Sequence, residues 1–88
     1  WRQRHRRYLK EHRRATYATL FTSGKLNSYL AGIDRQAEEM FLRLVKQMAE
    51  AEGVTEQLKS DNQMLWVQRM NAVWETATEV VNNNLIYA

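Results

Sequence analysis

Not one proline interrupts this 88-residue chain, and glycine occurs only at positions 24, 32 and 53. Proline removes a backbone donor and breaks helices, and glycine inside a helix costs about 1 kcal/mol against alanine. A chain that avoids both has few places to turn and is free to build long helices. Gly24 and Gly53 divide it into near-equal thirds that share no residue pattern, so there is no internal repeat. The expectation is an all-α chain of three long helices.

Periodicity supports each third. In the first, over residues 2–22, Trp1, His5, Tyr8, Leu9, His12 and Thr16 fall on one arc at 100° per residue. Arg2, Arg6, Arg7, Lys10, Arg13 and Arg14 fall opposite, and Arg4 alone is basic but off that side. This is a basic amphipathic helix, closed by Thr22-Ser23-Gly24. The second, residues 26–51, carries Leu26, Leu30, Ile33, Ala37, Met40, Leu44 and Met48 at steps of three and four, widened by Tyr29, Phe41 and Val45. Gly32 lies inside it, either to let another helix come close or simply tolerated. The third, residues 55–84, opens on Thr55 as an N-cap, with Glu56 at the positive end of the helix dipole. Leu58, Leu65, Trp66, Met70, Val73, Ala77 and Val80 form its stripe. Asn82-Asn83-Asn84 fray or cap it, leaving Leu85 to Ala88 as an apolar tail.

Helices of roughly 20 to 30 residues joined by short turns fold back on one another, because a few residues cannot cross the length of such a helix. The expected architecture is an antiparallel three-helix bundle forming one domain. Met64, Trp66, Met70 and Trp74 lie on several sides of the third helix, which favours a homodimer to cover them.

Charge is distributed unevenly. Seven of the first fourteen residues are Lys or Arg and only Glu11 opposes them, a local charge of +6, whereas the whole chain carries +3. Concentrated positive charge on one helix face points to a polyanion. Arg and Lys neutralise phosphates and release condensed counterions, and Arg also bonds base edges. The nucleic-acid-binding candidates are therefore Arg2, Arg6, Arg7, Lys10, Arg13 and Arg14, with Tyr17 on the same side. The competing reading is a solvated basic face that pairs with Asp34, Glu38 and Glu39. Three long helices lack the short helix–turn–helix signature, so backbone-dominated DNA binding is expected rather than sequence readout. A second candidate surface, for a protein partner, comprises Leu65, Trp66, Trp74, Leu85 and Tyr87.

Other classes are disfavoured. No apolar run approaches the ~20 residues that span a bilayer. The side of the first helix opposite its arginines is rich in His and Tyr rather than Leu and Phe, against membrane-surface binding. There is no cysteine, hence no disulfide or thiolate metal site, and a cytoplasmic location is expected. His5 and His12 are seven apart, about 10.5 Å along a helix, too far for one metal ion. The Ser and Thr residues are scattered and the carboxylates read as solvated faces, so no catalytic residue, cofactor or metal is expected. The chain does not start with Met, and a short segment is expected before Trp1.

Several words in order carry a family resemblance: Tyr8-Leu-Lys-Glu-His-Arg13, Ser23-Gly-Lys-Leu26, Ile33-Asp-Arg-Gln-Ala37, Gly53-Val-Thr-Glu-Gln-Leu-Lys59, Asn62-Gln-Met64, Trp66-Val67 and Met70-Asn71. With these the chain resembles the transposon-encoded TnpV family of bacterial mobile elements from Trp1 to about Tyr87. The resemblance implies a role accessory to transposition, a likeness to small excisionase-type DNA-binding proteins, a recombinase or transposase as partner, and no catalytic motif. Family members carry a further N-terminal stretch rich in Pro and acidic residues. Leu65 and Trp74 are more apolar than the family pattern and enlarge the contact surface expected on the third helix.

Overall fold

The computed structural model describes residues 1–88, and every regular element in it is helical. The order is α1 (Arg2–His12), α2 (Arg14–Thr22), α3 (Leu26–Ala51), α4 (Glu56–Asp61) and α5 (Gln63–Val81), ending in a π-helical turn (Asn82–Ile86). The turns between thirds fall where the glycines are. Gly24 and Gly53 hold φ of +73° and +68°, a left-handed conformation in which glycine carries no Cβ penalty.

Two breaks divide what the periodicity reads as continuous helices. Arg13, at φ −136° and ψ 55°, separates α1 from α2. Asn62, at φ −151° and ψ 85°, separates α4 from α5, and its side chain accepts a hydrogen bond from the Leu65 N–H at 3.2 Å. Asn62 is thus a true N-cap, of a residue type favoured there. Thr55 does the same for α4, accepting from the Leu58 N–H at 3.2 Å.

The breaks change the architecture. Three full-length helices do not lie side by side. Instead α3 is a spine, with α1 and α2 along its N-terminal part and α5 along its C-terminal part, the two overlapping around Ala37 and Phe41. No Cα of α1 or α2 comes within 8 Å of one in α5, and α1 meets the C-terminal end of the chain at the π turn and at Tyr87. The Cα envelope is accordingly long and thin, 55 × 20 × 17 Å. α1 runs antiparallel to α3: Trp1 lies against Phe41, with ring centroids 5.7 Å apart, and His5 against Tyr29 at 5.5 Å.

The halves meet at one junction. Ala37 of α3, Val81 of α5 and Ile86 of the π turn are fully buried together, with Trp1, Ile33, Met40, Phe41, Leu44 and Leu85 packed around them. Ala37 fits because a larger side chain would separate the crossing elements. Gly32 is not such a contact: a Cβ built there would meet nothing within 4 Å, so it is tolerated rather than required. The chain end differs from the frayed tail read from Asn82–Asn84. The helix widens into the π turn, Asn84 Nδ2 donates to the Val80 carbonyl at 2.9 Å, and Ile86 is driven into the core.

Candidate nucleic-acid interface

α1 divides its side chains sharply. His5 and Leu9 are 3% exposed, facing α3 and the π turn, while Arg2, Arg4, Arg6, Arg7 and Lys10 are all exposed. His5 is the pin that sets this orientation. One ring nitrogen, Nδ1, lies 2.7 Å from the Ile86 carbonyl oxygen, and the other, Nε2, lies 2.9 Å from the Tyr29 hydroxyl. A carbonyl can only accept, so in the neutral ring Nδ1 carries the proton and Nε2 accepts from the Tyr29 O–H. Tyr8 lies between the two histidines, at 6.2 Å from His5 and 5.3 Å from His12.

With the buried side fixed, the basic side is presented outward and unneutralised. Carboxylate oxygens come within 4.0 Å of a basic nitrogen at two places, Asp34 with the Trp1 backbone nitrogen, at 3.8 Å, and Glu11 with His12 Nε2, at 3.9 Å. No Lys or Arg has a carboxylate oxygen within 4.0 Å. Of the carboxylates expected to pair with α1, Asp34 faces the Trp1 nitrogen, Glu38 accepts from Trp1 Nε1 at 3.2 Å, and Glu39 is exposed without a basic partner. Gln3, Arg6, Arg7 and Lys10 together line an all-polar surface groove of ≈ 270 Å³.

The break at Arg13 limits how far this face extends. Arg13 and Arg14 are exposed, but the 100° step does not carry through a non-helical residue, so they belong to the corner and to α2 rather than to the α1 groove. Tyr17 is half-buried and stacks on Phe21 at 6.1 Å, with Lys10 Nζ 5.8 Å from its ring centroid. That contact carries the basic face around the corner. Arg4, which helical phase sets apart from its fellows, has its guanidinium carbon 5.5 Å from the Trp1 ring centroid.

The second candidate surface is only partly assembled. Leu65 and Trp66 are half-buried, and Lys59 Nζ sits 4.8 Å from the Trp66 ring centroid. Leu85 is half-buried against the junction core. Trp74 and Tyr87 are exposed, by 40% and 47%. Met64, set with Trp74 among the side chains needing cover, is 76% exposed, and it is joined by Val67, 41% exposed, which helical spacing does not single out. Yet 64, 67 and 74 follow the 3-then-7 spacing of one outer stripe on α5, which was available in the sequence.

The fold and its surface define a small all-helical protein with one unpaired basic helix, and no helix in it is long and apolar enough to cross a membrane. Searches against curated proteins and against solved structures find no match. The family described as transposon-encoded protein TnpV matches over residues 1–86, and the chain belongs to that family.

Proposed function

We propose that this chain is a non-catalytic accessory protein of a bacterial mobile element that binds DNA in the cytoplasm through the outer face of α1. The observation that carries the reading is a set of basic residues that weakens the helix bearing it. The first turn of α1 has no acidic residue, and Arg2 and Arg4 stand at the positive end of its dipole. Arg2 with Arg6, and Arg6 with Lys10, are like charges four residues apart, each pair costing about 0.2–0.5 kcal/mol. None of these residues has an ion-pair partner in the fold. Residues chosen against local stability fit a face that meets an anion. Membership of a transposon-encoded family supports DNA as that anion. Binding is to the phosphate backbone, since α1 lies along α3 rather than standing out as a recognition helix.

The test is fluorescence anisotropy of a labelled random-sequence duplex between 50 and 200 mM salt. Six phosphate contacts, four from Arg2, Arg6, Arg7 and Lys10 of α1 and two from Arg13 and Arg14 at its corner, give a log–log slope of about −5, at about −0.9 per contact. Arg6→Glu with Arg13→Glu removes two of those contacts and lowers the charge of residues 1–14 from +6 to +2, so duplex binding at 100 mM salt should fall steeply. Flat anisotropy for the unaltered protein at 50 mM salt and micromolar concentrations would overturn the reading.

A second role, as a homodimer or as an adaptor for a recombinase, is supported by the stripe of Met64, Val67 and Trp74. Helical apolar stripes of this kind dock on other helices. Trp74→Ala, alone or with Leu65→Ala, should shift the sedimentation-equilibrium mass from dimer to monomer while leaving DNA affinity per protomer within about twofold. An unaltered chain that sediments as a monomer at 100 μM excludes the homodimer.

A further inference from the structure

Along the border between the buried and basic sides of α1 lies a cleft of ≈ 330 Å³ lined by Arg4, Arg7, Tyr8, Glu11, His12 and Tyr87. It is within the size range of small-ligand sites. Its floor is aromatic: Tyr8 lies 5.3 Å from His12 and 5.7 Å from Tyr87, the latter with ring planes at 59°. The rings come from opposite ends of the chain, brought together because the π turn carries Tyr87 back over α1. The His12 side chain is 64% exposed and Tyr87 47% exposed, so both leave ring surface open to solvent. Core packing does not explain either. Nor does the phosphate-binding face use them, since a duplex backbone needs charge and not rings.

We propose that this cleft receives one unpaired base of single-stranded DNA, and that the protein therefore favours DNA with unpaired bases over a fully paired duplex. The inference rests on the DNA-binding reading and adds the strand state to it. Aromatic rings beside cations are what a flexible strand requires: the base stacks while its phosphates follow the positive rim. Arg7 belongs to both the cleft and the all-polar groove beside it, so a strand whose phosphates lie in the groove can swing a base over Tyr87 and His12. Arg4 supplies a second cation on the cleft side. Glu11 is the one carboxylate in the lining. It repels a phosphate but accepts a hydrogen bond from an N–H on the free Watson–Crick edge of an unpaired base, such as the thymine N3–H, which orients the base inward and the backbone outward. A paired base inside a duplex cannot reach the rings.

The experiment compares three labelled probes at 50 mM salt: a 12-residue oligo-dT, an abasic 12-mer with the same phosphates and no bases, and a 12-base-pair duplex. The unaltered protein should bind oligo-dT about 5- to 150-fold more tightly than the abasic strand, the range that stacking one base on an aromatic side chain gives. Tyr87→Ala should abolish that preference while leaving abasic and duplex affinities unchanged, and Tyr87→Trp should keep it. His12→Ala, at an exposed ring, should reduce the preference without touching the fold, checked by circular dichroism. Equal binding of oligo-dT and abasic strands overturns the base cleft while leaving backbone binding intact. A uniform loss across all probes in Tyr87→Ala overturns it too. If no probe binds, the basic face fails as a DNA site and the cleft falls with it.

Discussion

Replacing His5 with alanine should destabilise the fold by about 2–5 kcal/mol in a urea melt followed by tryptophan fluorescence. A buried acceptor left without a donor costs about 1–3 kcal/mol, and the carbonyl of the fully buried Ile86 would be one. The Tyr29 hydroxyl loses its acceptor as well, and the missing ring leaves a cavity beside Leu9. Domains of this size are held by only about 5 kcal/mol or somewhat more, so the variant should be partly unfolded at room temperature. Tyr29→Phe is the control. It removes one hydrogen bond from a half-buried group and should cost about 0.5–1.5 kcal/mol. A His5→Ala loss under about 1 kcal/mol would mean that α1 is held by Leu9 and Trp1, and that the histidine is incidental.

Ile86→Ala should cost a similar amount, about 2–5 kcal/mol, the range for emptying a buried aliphatic site. Ile86 is fully buried with Ala37 and Val81, so the space left cannot refill from solvent or from a loop. Ile86→Val should cost only about 0.5–1.5 kcal/mol, because one methylene is removed rather than most of the side chain. His5 and Ile86 belong to one junction, so the double alanine variant should lose less than the sum of the singles. Simple additivity in the same melts would separate the core of the junction from its hydrogen bond.

The helical content and the unequal sides of α1 are legible in the residues, because both depend on local chemistry. A lack of proline and glycine permits helix, and the 100° step puts Arg2, Arg6, Arg7 and Lys10 on one side and His5 and Leu9 on the other. The corner at Arg13 is not legible. Arginine is a good helix former, and nothing local marks the position. Asn62 did carry a signal, being a favoured N-cap residue, but a continuous apolar stripe on either side conceals it. The role of His5 is invisible for a different reason. Periodicity places a side chain on a face, and its partners here are a tyrosine on another helix and a carbonyl 81 residues away. Arg4 and Tyr87 share a cleft on the same account. Their distance in sequence hides a neighbourhood created by the π turn.

That turn also sets an order of events during synthesis. The group that fixes the basic helix is a carbonyl made 81 residues after the histidine that binds it. A growing chain can form α1 and pack it on α3 early, but cannot lock it until Ile86 has left the ribosome. Until then the arginines are displayed on a helix whose facing is unsettled, beside the RNA of the machine that makes it. A message cut short before the codon for Ile86 would yield a product with every arginine of α1 in place and no latch to aim them.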